Sequence, residues 1–235
     1  MIAMLGAAYS KPAVHRVGNY VLGADKTSKK VERWKRRSGQ AGVGHVPYSV
    51  FRAAQLPADT QYMTFLREPV DRVLSHYCAH VDRARLSRLK PASQLGELRA
   101  DSLEQALEEL RLPLLRNLAT RFLCGDPDPW AELAPLALYR ARANLRRFAF
   151  IGIQERFEES MARLQAMLAL DIPRENYPDV HVSADRLAVE DIPPEQRALI
   201  LEHNKLDAAL YEFALELFDG ITEAAPTQTF RTSSR

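Results

Sequence analysis

The spacing of apolar positions divides the chain into short compact runs and longer stripes of helical period. Gln61 to Leu66 and Phe148 to Ile153 are short, apolar and rich in β-formers, as buried strands are. Gly18 to Leu22 reads as a further short strand. Helical spacing marks Lys26 to Arg37, where Val31 and Trp34 recur, Ser49 to Ala54, and a segment opened by Pro69 in which Val70, Val73, Leu74 and Tyr77 share one face. Ser102 and Gln105 form a capping box for a helix reaching about Phe122. Another helix runs from about Trp130 to Leu145, after the break Gly125-Asp126-Pro127-Asp128-Pro129. Phe157, Met161, Leu164 and Leu168 stripe the next helix. Asp191-Ile192-Pro193-Pro194 opens the last, with Leu199, Leu206, Leu210, Phe213 and Leu217 along it.

Between these elements, Gly39 to Tyr48 holds three glycines and predicts a turn-rich connection, and the charged stretch Arg83 to Arg99 predicts a solvated insertion. Strands alternating with longer helices predict an α/β fold, a mainly parallel sheet flanked by helices, over residues 1–221. A polar tail over 222–235 follows. Such sheets bind ligands beyond the carboxyl ends of their strands, which puts Arg67 at the expected rim.

Composition narrows the function classes. The 32 basic and 30 acidic residues leave a net charge of +2, too balanced for nucleic acid as the main partner, so an anion site has to be local. Cys78 and Cys124 make no disulfide framework, and no Cys/His spacing suits zinc or another metal. A reducing, cytoplasmic setting is expected. The apolar start Met1 to Tyr9 is too short to span a bilayer and has no basic residue ahead of it. It reads as a strand or loop of the domain, or as a start placed inside a longer frame.

The segment Thr64-Phe65-Leu66-Arg67-Glu68-Pro69-Val70-Asp71-Arg72-Val73-Leu74-Ser75 carries the clearest chemistry. An arginine leaving a buried strand and a serine eight residues on can bring a guanidinium and a hydroxyl to a helix N-terminus, whose first-turn amides add donors. The alternative is local: Arg67 pairs with Glu68 or Asp71, and Ser75 is a surface hydroxyl.

Phe65 to Tyr77 resembles the 3′-phosphate segment of the Golgi-type carbohydrate sulfotransferases, especially the heparan sulfate 2-O-sulfotransferase-like group. Gly44 to Tyr48, Asn117 to Gly125 and Phe150 to Ser160 resemble further segments of that family in the same order, and the likeness runs from about Gly44 to Phe218. The resemblance implies a P-loop-like nucleotide-hydrolase type of fold and 3′-phosphoadenylyl sulfate (PAPS) as sulfate donor. It also implies a hydroxylated small molecule or saccharide as acceptor. By it, Arg67 and Ser75 bind the donor's 3′-phosphate, Arg186 is a further donor contact and Arg121 an acceptor contact. A solvated loop position for Arg186 stays open.

Sulfuryl transfer to an alcohol needs the acceptor proton removed, and an imidazole, with an ordinary pKa of about 6.5, suits that task. The resembling family has its catalytic histidine in the segment that here holds His45; a loop histidine without chemistry is the other reading. His76 and His80 stand four apart, but no carboxylate or third ligand accompanies them in a recognised pattern, so they read as helix-surface or substrate-rim residues.

The family's 5′-phosphosulfate loop is not recognisable. Its nearest match is Gly23-Ala24-Asp25-Lys26-Thr27-Ser28, after the strand expected at Asn19 to Leu22; it lacks an internal glycine and includes an aspartate. Either Lys26, Thr27 and Ser28 replace that loop, or the reading frame begins upstream, or catalysis has been lost. Three functions follow: a PAPS-dependent O-sulfotransferase, a non-catalytic nucleotide- or anion-binding relative, or a helical interaction protein without a ligand, although amphipathic stripes are more often core than interface.

Overall fold

The computed structural model describes residues 14–19, 24–35, 41–78, 102–109, 112–126, 128, 131–174 and 189–220. The insertion expected at 83–99, His80, Arg186 and the polar tail lie outside the described residues. The first described elements form a βαβ unit in which β1 (Val14–Asn19) and β2 (Ala41–His45) pair in parallel across α1 (Ala24–Lys35). The register runs from Val14 opposite Ala41 to Asn19 opposite His45, with a shift between Arg16 and Gly18.

This unit corrects two sequence expectations. The first strand lies four residues earlier than its apolar pattern indicated, and the glycine-rich connection is itself a strand. Glycine is disfavoured in strands because it loses most entropy on ordering. Here the absence of a side chain lets the Trp34 indole lie on the backbone: a Cβ on Gly42 would stand 3.0 Å from it. Val31 and Ala54 are buried beneath the same unit, with Trp34, Val50, Phe51 and Leu56 packed around them.

α2 (Tyr48–Ala53) leads to the second parallel pair, β3 (Met63–Leu66) with β4 (Phe150–Ile153), matched residue for residue from Met63–Phe150 to Leu66–Ile153. Both strands fall where the apolar runs place them. Every residue of β4 is buried, because the pair is covered on two faces. On one face Leu66, Ile151 and Ile153 join Leu123, Leu145, Leu210, Phe213 and Phe218. These partners come from α5 (Leu118–Leu123), α6 (Ala137–Leu145) and α9 (Lys205–Gly220). On the other face Phe65 and Phe150 pack against Met161 and Leu164 of α7 (Phe157–Leu168).

Gly152 sits at the tightest point of this second face. A Cβ there would lie 2.4 Å from the Phe65 ring, which is itself held by Phe150 and Phe157 at centroid distances of 5.6 and 6.1 Å. Gly152→Ala is therefore expected to lower unfolding free energy by about 1–3 kcal/mol through overpacking, measurable by urea denaturation.

A third core joins α3 (Pro69–His76), α4 (Leu103–Glu108) and α8 (Pro194–His203) through Val70, Val73, Leu74, Leu107, Leu115 and Ile200. Ser102 accepts the Gln105 N–H at 3.1 Å, as the capping pattern predicts. The helix expected from there to Phe122 is instead three pieces: α4, a 3-10 turn at Pro113–Leu115, and α5 entered through Asn117 at φ 50°. Pro113 has no N–H to continue a helix. The final amphipathic stretch likewise divides at Asn204 into α8 and α9, and α6 begins at Ala137 rather than near Trp130.

Candidate functional site

Because β3 and β4 end in register, Arg67-Glu68 and Gln154-Glu155 leave the sheet side by side. Pro69 then starts α3, its fixed φ matching the first helical position, and Glu68 is the N-cap. Glu68 Oε2 accepts the Asp71 N–H at 2.7 Å. That first-turn amide, expected to be open to a ligand anion, is thus already capped by the protein's own carboxylate. Burial pushes the Glu68 carboxyl above the usual range, against the pull of the Val70 amide and Arg197.

Arg67 is half-buried, and its Nε donates to Asp71 Oδ2 across one turn, so the local ion pair left open by the sequence is formed. Burial lowers the guanidinium pKa, while Glu155 and Glu68 act in the opposite direction. Ser75 is half-buried one turn beyond Asp71, on the same stripe of α3. The strand exit therefore offers a guanidinium, a helix N-terminus and a hydroxyl of the types a phosphate monoester needs. Asp71 is a carboxylate with which such a ligand would have to share Arg67.

Glu155 was not singled out by the sequence. Its Oε1 accepts the Glu68 N–H at 2.9 Å and its Oε2 the Tyr211 hydroxyl at 2.7 Å, joining the β4 exit to the β3 exit and to α9. Burial, and then the hydrogen bond to Glu155, push the Tyr211 hydroxyl pKa upward, which keeps it a donor. Ser160 secures the same exit from below: its Oγ accepts the Ile153 N–H at 2.8 Å and donates to the Ile153 carbonyl at 3.0 Å.

Behind α3 lies a buried polar hub. Arg72 donates to the Leu114 carbonyl at 3.1 Å and to Asn204 Oδ1 at 2.8 Å, and stands 3.4 Å from Asp207. Asp207 accepts the Ala119 and Thr120 N–H groups at 3.0 and 2.8 Å, capping α5. Asn117 Oδ1 reciprocates by accepting the Leu206 and Asp207 N–H groups at 3.0 and 3.1 Å, capping α9. Arg121 is half-buried beside this hub, with Nε on the Arg116 carbonyl at 2.9 Å and Nη1 on the Ala131 carbonyl at 2.5 Å.

His45 is exposed at the carboxyl end of β2, level with Asn19 at the end of β1. Lys26 and Thr27 fall by backbone position in the first turn of α1, and exposed Ser28 follows them. The segment is helical from Ala24 onward, so these three residues belong to a helix start rather than to a loop. The chain after His45 reaches the entrance of the second strand pair: the Tyr48 ring packs on Tyr62 and Phe148 at 5.0 and 5.4 Å. Arg67 stands at the exit of that pair. The structure thus gathers Arg67, Glu68, Asp71, Glu155 and Tyr211 into one cluster, and His45 belongs to the first strand pair.

Two parallel strand pairs whose exits run into helix N-termini define an α/β protein. The chain belongs to the sulfotransferase family, whose profile covers residues 22–214, and its fold is the α/β sulfotransferase fold. It is 27% identical to heparan-sulfate 6-O-sulfotransferase 2 of Danio rerio, over 67% of this chain and 38% of that protein. It is 24% identical to a heparin sulfate O-sulfotransferase of Drosophila melanogaster, over 80% of this chain and 57% of that protein. Galactose-3-O-sulfotransferase 3 of Mus musculus is 30% identical, over 67% of this chain and 37% of that protein. The chain spans between 37% and 57% of the length of these three relatives.

Proposed function

We propose that the chain is a PAPS-dependent O-sulfotransferase that moves a sulfuryl group to a hydroxyl of a saccharide. The observation that carries this is Arg67 at the exit of β3, ahead of a proline-started helix bearing Ser75, in a chain of the sulfotransferase family. The three relatives, named as sulfotransferases acting on heparan sulfate, heparin or galactose, support a sugar hydroxyl as acceptor.

In this reading Arg67 and Ser75 hold the donor's 3′-phosphate and His45 takes the acceptor proton. The acceptor oxygen forms its bond to sulfur as the bond from sulfur to the 5′-phosphate oxygen breaks, leaving adenosine 3′,5′-bisphosphate. Lys26, Thr27 and Ser28 at the start of α1 are the candidates for the 5′ end of the donor, since a helix N-terminus favours phosphate. Arg186 is a further donor contact and Arg121 an acceptor contact. The free thiols Cys78 and Cys124 fit a reducing, cytoplasmic setting.

Adenosine 3′,5′-bisphosphate at about a hundred times its Kd is expected to raise Tm by about 5–10 °C. Arg67→Ala is expected to abolish the rise, because hydrogen bonds to a charged group are worth about 1.5–3 kcal/mol each. An intact chain whose Tm does not respond would overturn the proposal.

The helical setting of Lys26, Thr27 and Ser28, in place of a phosphosulfate loop, supports a second reading, a non-catalytic relative that binds the nucleotide. Transfer of labelled sulfate from PAPS to a panel of sugars, phenols and lipids separates the two.

A further inference from the structure

The reading of Arg67 as the 3′-phosphate grip requires that its guanidinium be aimed, and a long side chain at a strand exit is aimed first by its backbone. Residue 68, directly after it, has its N–H held by Glu155 Oε1 at 2.9 Å, a contact between residues 87 apart in sequence. The other oxygen of the same carboxylate is fixed by the Tyr211 hydroxyl at 2.7 Å, and Tyr211 belongs to α9, which packs on the face of β4 opposite α7. Three separate elements thus meet at one carboxylate. The ion-pair partner of Arg67 is Asp71, whereas Glu155 spends both oxygens on a backbone amide and a hydroxyl.

We propose that Glu155, braced by Tyr211, is a positioning residue of the donor site: it fixes the chain at Glu68 and thereby sets the direction in which Arg67 meets a phosphate monoester on the 3′ position of an adenosine nucleotide. The inference rests on the donor reading above. It predicts that geometry at residue 155 matters more than its negative charge. Glutamine keeps an oxygen for the Glu68 N–H and an amide N–H for the Tyr211 oxygen, while alanine keeps neither. A carboxylate that acted on the ligand by charge would instead repel it, and its removal by either substitution would tighten binding.

The discriminating quantity is the ratio of affinities for adenosine 3′,5′-bisphosphate and adenosine 5′-monophosphate, which differ only in the 3′-phosphate. Both are measured by competition titration on the full chain, with Tm recorded for every variant. Wild type is expected to favour the bisphosphate. In Glu155→Ala the ratio is expected to fall by about tenfold or more, with monophosphate affinity unchanged. Glu155→Gln is expected to stay within about threefold of wild type, and Tyr211→Phe to fall in between.

A full ratio in Glu155→Ala, an equal loss for both nucleotides, or a Gln variant as impaired as the Ala variant would each overturn the inference. If Glu155→Ala does not fold, Tyr211→Phe carries the test, and an unchanged ratio there overturns it. A wild-type chain that binds the two nucleotides alike overturns the donor reading of Arg67, and this inference with it. A wild type that discriminates confines any failure to Glu155.

Discussion

His45→Ala is expected to lower sulfuryl transfer by about 10²–10⁴-fold, the usual contribution of a positioned acid or base, while leaving the affinity for adenosine 3′,5′-bisphosphate unchanged. The two readouts separate because of where the residue stands. His45 is exposed at the end of β2, so its removal touches little of the core, and exposed substitutions away from special features cost within about 0.5 kcal/mol. In PAPS the 3′-phosphate and the transferring sulfur lie on opposite sides of the ribose. A base for the acceptor therefore belongs away from the 3′ grip, and His45 stands on a different strand pair from Arg67. Steady-state transfer kinetics and nucleotide titration on one preparation make the comparison. Wild-type turnover in His45→Ala would remove it as the base. Intact nucleotide binding without any transfer by the wild type would leave the non-catalytic reading.

The second large effect concerns stability. Asp207→Ala is expected to lower unfolding free energy by about 3–5 kcal/mol, since it leaves the Arg72 guanidinium buried without its countercharge. The side chains of Arg72 and Asp207 are only 8% and 1% exposed, so water cannot take the place of the lost carboxylate. The same substitution uncaps α5, whose first-turn amides at Ala119 and Thr120 have Asp207 as their acceptor. Asp207→Asn keeps one acceptor oxygen and is expected to lie between wild type and alanine. Urea denaturation checks the series, and a loss below about 1 kcal/mol for alanine would show that the hub is not energetically coupled as its geometry indicates.

Arg72 shows why such a hub is invisible in the sequence. On α3 the apolar residues Val70, Val73, Leu74 and Tyr77 define one face, and Arg72 points away from it, as a solvent-facing charge would. It is buried because α8 and α9 bring Asn204 and Asp207 to it from 132 and 135 positions away, which no local periodicity encodes. Asn204 and Asn117 interrupt two stretches of helical period in the same way. The apolar stripe of the last helix continues across the break, but the Asn204 side chain is engaged by Arg72, Leu115 and Ile200. Asn117 turns the chain into α5 at positive φ because its own side chain caps α9. Only Pro113 was a local signal of the first break.

What the sequence determined by itself was local: strands β3 and β4 from compact apolar runs, the start of α3 from Pro69, the core face of α7 from its spacing, and Arg67 at a strand exit. These follow from short-range sterics and from burial of a periodic stripe, which are properties of neighbouring residues. Tertiary structure decided that the glycine-rich segment ending in His45 is a strand, because a parallel partner and the Trp34 ring stabilise it from outside. It decided that Arg67 meets Asp71, that Glu155 holds the Glu68 amide, and that Arg72 is a core residue. Each of these depends on polar groups finding partners distant in sequence, since a buried hydrogen-bonding group must be satisfied from wherever the fold can supply a partner.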